Sequence, residues 1–229
     1  GRHPLMRRRA RRAGDDLEIN YDQFAQIFDL LRRASGVDFR HYKPGTIKRR
    51  LQRRLVLNRL HDVPAYLKLL KEQPAEIDAL YRDILIHVTQ FFREPESFEV
   101  LKTTVLSRLL EHPRDTLRCW VPGCATGEEV YSLAIVLSEV LAERRNAPTV
   151  QLFGTDISEE AIEQARRGVY AEAIAQDMSP ERLRRWFTKI DHKYRVVQAI
   201  RDQCVFARQD ITRDPPFSNL DLVLCRNVM

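Results

Sequence analysis

Along the first third of the chain, apolar residues recur every three or four positions. Tyr21, Phe24, Ile27, Phe28 and Leu31 fall on one face of a helix expected over 20–33 and ending near Gly36. A second helix is expected over 44–60, with Pro44 near its start and Ile47, Leu51 and Leu55 in register. A third follows over 64–72. A fourth begins after Pro74, with Ile77, Leu80, Ile84 and Val88 in phase. Residues 15–86 therefore read as a small all-helical domain, and another helix is expected over 94–111.

The pattern then changes. Leu117-Arg118-Cys119-Trp120-Val121 reads as a short buried strand, stopped by Pro122 and Gly123. Gly123-Cys124-Ala125-Thr126-Gly127 is a turn of small residues, and beyond it Val130, Leu133, Ala134 and Leu137 return to helical spacing. A second strand covers 150–155 and ends at Asp156, ahead of a helix over 159–167. Ser179-Pro180 opens a helix running to Phe187. Short strands follow at 194–197 and at 204–207, the latter leading into Gln209-Asp210-Ile211. A last strand at 220–225 ends in Arg226-Asn227. Strand, turn and helix in this order predict an α/β fold of Rossmann-like type over 87–229. A small β-subdomain is expected at 188–206, with further sheet strands missing after the last one.

The turn carries the first chemical information. Its small residues, Gly123 and Ala125 among them, let a ligand approach the backbone closely. A phosphate-binding loop would end in Gly-Lys-Ser/Thr, whereas Gly127-Glu128-Glu129 has the opposite charge. Paired carboxylates suit a ligand with cationic and hydroxyl groups, and S-adenosylmethionine (SAM) offers a sulfonium, an ammonium and ribose hydroxyls. A plainer alternative is a capping box, with Thr126 as N-cap and Glu129 reaching back. Asp156 follows Gly127 by 29 residues. An acid at the end of a second strand holds ribose hydroxyls in nucleotide-binding α/β proteins. Its alternative role is to cap the following helix, as Ser158 also would.

Composition adjusts this picture in a few places. The net charge is +6, but Arg2, Arg7, Arg8, Arg9, Arg11 and Arg12 fall in the first fourteen residues, which contain no acid. Residues 1–14 thus read as a basic tail, and the rest is neutral, which argues against a broad nucleic-acid surface. Cys119, Cys124, Cys204 and Cys225 lack metal-ligand spacing, so no metal site is expected. No apolar run is long enough to span a membrane. Beginning at Gly1 and stopping in a hydrophobic strand at Met229, the chain reads as a fragment of a longer protein. Asp214-Pro215-Pro216-Phe217 resembles the tetrapeptide of adenine N-methyltransferases, but it precedes its strand and reads as a constrained loop. Arg49, Arg50, Arg53 and Arg54 make the second helix densely basic, either a solvated face or a docking surface for an acidic partner.

Taken together, FFREPESF, VPGCATGEEVYSLA, FGTDIS, ARQDI and DLVLCRNVM closely resemble the chemotaxis-receptor glutamate methyltransferases, the CheR family. The resemblance runs from about residue 20 to the end. It implies SAM as cofactor, S-adenosylhomocysteine (SAH) as product, and glutamyl methyl esters on the cytoplasmic helices of a chemoreceptor. It also implies a cytoplasmic monomer with no nucleic-acid partner and no membrane insertion. The cofactor-binding residues it implies are His87, Thr89, Arg93, Gly123, Ala125, Glu129, Asp156, Asp210, Ile211, Arg226 and Asn227. Arg93 is also the candidate catalytic residue, orienting the incoming carboxylate. The family's Asn is His87 here, Asp210 stands where Asn is frequent, and Val130 replaces a common Pro. The loop Lys189-Ile190-Asp191-His192-Lys193 is short and lacks glycine, which resembles members that do not use a receptor-tail pentapeptide. A non-catalytic SAM- or SAH-binding docking module is the alternative.

Overall fold

The structure is a computed structural model that describes residues 20–42, 44–85, 89–112 and 114–226. The basic tail, His87, Val88 and Asn227 lie outside the described residues. Two compact units divide the chain, Gly1–Ile86 and His87–Met229.

The first unit holds α1 (Tyr21–Ser35), α2 (Pro44–Leu57), α3 (Val63–Glu72) and α4 (Pro74–Ile84). A capping box starts α1: Asn20 accepts from the Gln23 amide, and the Gln23 side chain accepts from the Asn20 amide. Gly36, at φ 76°, closes it in the left-handed conformation that glycine adopts most readily. Asp62 caps α3 by accepting from the Ala65 amide. Ile27, Leu31, Ile47, Leu51, Tyr66, Leu70 and Leu80 are almost wholly buried and form the core. A polar cluster joins three of the helices. Arg54 on α2 meets Glu76 on α4 through Nε at 2.9 Å. Tyr66 on α3 donates to Glu76 at 2.7 Å, and Asn58 donates to it at 3.0 Å.

The second unit is built on a parallel sheet of order β6-β2-β1-β7, from β1 (Thr116–Pro122), β2 (Thr149–Asp156), β6 (Cys204–Arg208) and β7 (Leu222–Val223). Leu117, Cys119 and Val121 alternate inward along β1. They pack in one core with α7 (Glu128–Leu141), in which eight consecutive residues from Val130 to Leu137 are buried. Desolvation in this core pushes the Cys119 thiol up to about 12, so it stays protonated. Ile162 and Ala165 of α8 (Glu159–Arg167) join the same core. A second, antiparallel sheet of order β3-β5-β4 comprises β3 (Val169–Ala171), β4 (Phe187–Ile190) and β5 (Lys193–Val196). The short helix α9 (Pro180–Trp186) lies between β3 and β4 in sequence, and α10 (Gln198–Arg201) follows β5.

Two elements differ from the sequence expectation. The helix expected over 94–111 runs as α5 (Pro95–Val100), a π-helical stretch Leu101–Leu106, and α6 (Ser107–Leu109). Leu101 and Leu106 are both buried five positions apart, and the wider π turn brings such a pair onto one face. The small β-subdomain expected at 188–206 starts earlier, because β3 supplies its third strand. Cys204–Arg208 instead pairs with β2 in the parallel sheet. The loop at 214–217 is a loop as expected, and it has a packing role: Phe217 stacks on Phe153 and meets Trp120 edge-on.

Candidate functional site

At the carboxyl end of β1 the backbone turns sharply. Gly123, Ala125 and Gly127 have φ of 64°, 50° and 94°. A Cβ on Gly127 would lie 2.8 Å from the Ala165 Cβ, so this glycine also lets α7 approach α8. Ala125 is not a glycine, and its left-handed backbone must be held by its surroundings. Asp156 contributes: its Oδ2 accepts the Ala125 amide at 2.9 Å. Its Oδ1 accepts the Ser158 amide at 2.9 Å, while Ser158 itself caps α8. The Cys124 amide adds a bond to the Thr155 carbonyl at 2.9 Å. The carboxylate at the end of β2 thus fastens the small-residue turn.

The capping box considered for this turn does not form. Gly127 is the N-cap of α7 and has no side chain to cap with. Thr126 Oγ1 donates to the Glu128 carboxylate at 2.7 Å. Glu129 points elsewhere, to Arg226, whose Nη1 stands 3.2 Å from its Oε1. Burial raises the Glu129 carboxyl above its ordinary value, against the pull of Arg226 and Arg93, while Glu94 adds to the rise. Among the described residues the one hydrogen bond of Glu129 is this long contact to Arg226, which leaves the half-buried acid capacity for a cation.

Arg226 gathers several segments. Its Nη2 donates to Glu94 at 2.7 Å and to the Arg93 carbonyl at 3.0 Å, and the guanidinium lies 5.6 Å from the Phe98 ring centroid. Phe92 and Glu94 both have left-handed backbones, with φ of 49° and 56°. Packing holds this strained stretch in place. Phe91 meets Tyr170 and Phe187, Phe92 meets Phe98, and Arg182 lies over the Phe92 ring. Ser132 on α7 accepts the Phe92 amide at 2.9 Å and donates to the Glu128 carbonyl at 2.7 Å. The aromatic segment is therefore bolted to the helix that carries the two glutamates.

The structure thus links Arg93, Ala125, Glu129, Asp156 and Arg226 through direct contacts or a shared segment, with Gly123 in the same turn. Thr89 is half-buried three residues before Phe92. Asp210 and Ile211 follow Gln209, whose amide bonds to the Asp156 carbonyl at 2.9 Å, so their turn starts beside Asp156. The Asp210 carboxylate accepts from the Thr212 amide and hydroxyl at 2.9 and 2.7 Å and organises that turn. His87 and Asn227 lie outside the described residues. On α2, Arg49 and Arg53 are exposed and Arg50 is half-buried, with Arg53 3.3 Å from Asp83. Arg54 departs from the docking expectation: it is turned inward onto Glu76, which desolvation would otherwise leave as an uncompensated buried charge.

Sequence reasoning missed Glu94, Ser132 and Tyr170, whose hydroxyl donates to the Thr126 carbonyl at 2.7 Å. Glu94 and Ser132 sit inside the FFREPESF and GEEVYSLA motifs, which is the signal that would have found them. Among the described residues, no group of three or more His, Cys, Asp or Glu is placed to hold a metal ion, and no helix is long and apolar enough to cross a membrane.

The site fits SAM on its own chemistry: a turn without bulky side chains, a half-buried acid in long contact with an arginine, and a second acid at the carboxyl end of β2. Comparison with known proteins agrees. The family profile described as CheR methyltransferase, SAM binding domain, matches residues 87–229, and that described as CheR methyltransferase, all-alpha domain, matches 22–85. An uncharacterized 104.1 kDa protein of Rhodobacter capsulatus is 40% identical over 210 residues, covering 91% of this chain and 22% of that protein. The chemotaxis protein methyltransferase of Listeria innocua is 30% identical over 214 residues, covering 93% of this chain and 79% of its own length. Chemotaxis protein methyltransferase 2 of Pseudomonas aeruginosa is 33% identical over 221 residues, covering 93% and 77%.

Proposed function

The chain belongs to the CheR methyltransferase family and carries its SAM-binding domain, and from that premise we propose that it methylates glutamate side chains on the cytoplasmic helices of a chemoreceptor. The observation that carries this reading is the pairing of Glu129 and Asp156 across a turn of small residues. Asp156 would take ribose hydroxyls, Glu129 the ammonium, and the Gly123–Gly127 turn would lie against the nucleoside. Thr89, Asp210, Ile211 and Arg226 would complete the surroundings, as would His87 and Asn227. When bound, SAM supplies a methyl group on a cationic sulfur, which a carboxylate can displace.

The residues of this chain have a limited chemical task. A glutamate, with an ordinary pKa of about 4.3, is already ionised at neutral pH, so no general base is needed. Arg93 orients the incoming carboxylate. Fixing a reactant in a near-attack geometry contributes roughly 7 kcal/mol in favourable cases. A very tight Arg–carboxylate pair would stabilise the ground state and slow transfer, so the role of Arg93 is orientation. The apolar packing of Phe91 and Phe92 keeps that segment rigid and dry.

Arg49, Arg50 and Arg53 on α2 are the proposed docking surface for an acidic receptor helix, with Arg54 supporting them from below. The hairpin from Ile190 to Lys193 turns through only Asp191 and His192, which supports recognition without a receptor-tail pentapeptide. The protein would act as a cytoplasmic monomer. The test is transfer of labelled methyl from SAM to receptor fragments, read as base-labile methanol. Arg93→Ala is expected to lose transfer at least tenfold while the fold is retained; unchanged turnover would remove Arg93 from the mechanism. The chain spans only 22% of the Rhodobacter relative, which favours a second reading, a SAM-binding module inside a larger signalling protein. Tight SAH binding without transfer would select it.

A further inference from the structure

Glu94 belongs to none of the roles above, yet it makes the shortest contact of Arg226. Its Oε2 lies 2.7 Å from Nη2, against 3.0 Å for the Arg93 carbonyl and 3.2 Å for Glu129. Its backbone occupies the left-handed region at φ 56° and ψ 71°, an uncommon conformation for glutamate. Its side chain makes no capping bond to α5 and is 60% exposed, so it has no core role. The Arg226 and Glu129 side chains, by contrast, are only 16% and 18% exposed. One guanidinium is therefore shared between an exposed acid and a desolvated one, and the exposed acid holds it more closely.

We propose that Glu94 is a positioning residue for the methyl donor: it draws Arg226 away from Glu129 and so keeps that buried carboxylate open for the donor's ammonium. Without Glu94, the planar fork of Arg226 would be free to close on Glu129 with two parallel bonds, the strongest geometry such a pair has. The donor's ammonium would then have to displace a satisfied partner. The stacking of Arg226 on Phe98 and its bond to the Arg93 carbonyl keep the guanidinium within reach of both acids, so the competition is local. The inference rests on the SAM reading above and adds a residue that sets how tightly the amino-acid arm is held.

Calorimetry on the 229-residue chain tests it with two probes, SAH and 5′-methylthioadenosine, which lacks the amino-acid arm. Glu94→Gln is expected to weaken SAH about fivefold or more, a loss typical of a broken charge coupling. Affinity for 5′-methylthioadenosine should stay unchanged, and so should the melting temperature. Glu94→Asp, which keeps the charge, should recover part of the SAH affinity. In a Glu129→Gln background, Glu94→Gln should cost nothing further. Equal losses for both probes, or a loss that persists in the Glu129→Gln background, would overturn the proposal, since Glu94 would then be acting on the fold or on the ligand directly. Identical SAH affinities for the unaltered chain and Glu94→Gln would overturn it alone. Absence of SAH binding by the unaltered chain would overturn the SAM reading, and this inference with it.

Discussion

Glu76 in the helical unit and Glu129 in the α/β unit are both acids taken out of water and paired with an arginine, yet they are treated oppositely. Glu76 receives Arg54, Tyr66 and Asn58, and its carboxyl is held below the ordinary range although burial pushes the other way. Glu129 receives one contact from Arg226 at 3.2 Å, and burial raises its carboxyl. A buried charge with several partners is a structural device, because every partner was assembled on folding. A desolvated acid left short of partners is a candidate for ligand chemistry.

The comparison breaks most visibly by removing Glu76. Glu76→Ala takes from the largely buried Arg54 its nearer acid, leaving Asp83 at 3.7 Å, and takes from the Tyr66 hydroxyl its acceptor, and this should destabilise the helical unit by about 3–5 kcal/mol. Urea melts followed by hydrogen exchange in α2 and α4 would register it. Glu129→Gln should change stability by less than about 0.5 kcal/mol, because the carboxylate contributes little that folding requires. A cost at Glu129 as large as that at Glu76 would erase the distinction.

Gly127→Ala asks whether the turn tolerates a side chain. The new Cβ would meet the Ala165 Cβ at 2.8 Å on a residue with φ 94°. A loss of about 1–3 kcal/mol in thermal melts is expected, with weaker SAH binding because α7 shifts. A neutral result would mean that α8 can withdraw from the turn.

The smallest effects separate the two acids by sign. The carboxyl of Glu76 is lowered, so its stabilisation is present above its unfolded value of about 4.5 and is lost as pH falls through the folded value. Glu76→Gln should remove that part of the acid sensitivity, read as a flatter fall of urea-melt stability with decreasing pH. The carboxyl of Glu129 is raised, so the folded protein keeps its proton to a higher pH than an exposed glutamate would. SAH affinity should therefore begin to fall at a pH above 4.5 as Glu129 protonates, with Arg226, Arg93 and Glu94 setting the midpoint. An affinity flat down to pH 4 would contradict this.

Much of this contrast was legible in the chain, and what was not has physical causes. The apolar spacing located α1 to α4 of the first unit within a few residues, because each buries one face, whereas the single 3-10 turn Phe39–His41 is too short to show a period. The turn from Gly123 to Gly127 and the acid at 156 were readable as well, since strand length and small residues leave few ways to connect them. Arg54 was not separable from Arg49, Arg50 and Arg53: its partner lies 22 residues away, and only packing decides which arginine turns inward. The link from Arg226 to Glu94 spans 132 residues and depends on strand order. Three residues sufficed for β3, too few for a period to register. Cys204–Arg208 was divided between two sheets because a short apolar strand carries no mark of its neighbour.

The central claim is that Glu129 is kept for a ligand rather than for the fold. Calorimetric titration of SAH into the unaltered chain and into Glu129→Gln, with the melting temperature of each recorded without ligand, tests it most directly. The account predicts clear binding by the unaltered chain, at least tenfold weaker binding by Glu129→Gln, and ligand-free melting temperatures within about two degrees of each other. Equal SAH affinities, or a Glu129→Gln chain that melts far below its parent, would contradict it.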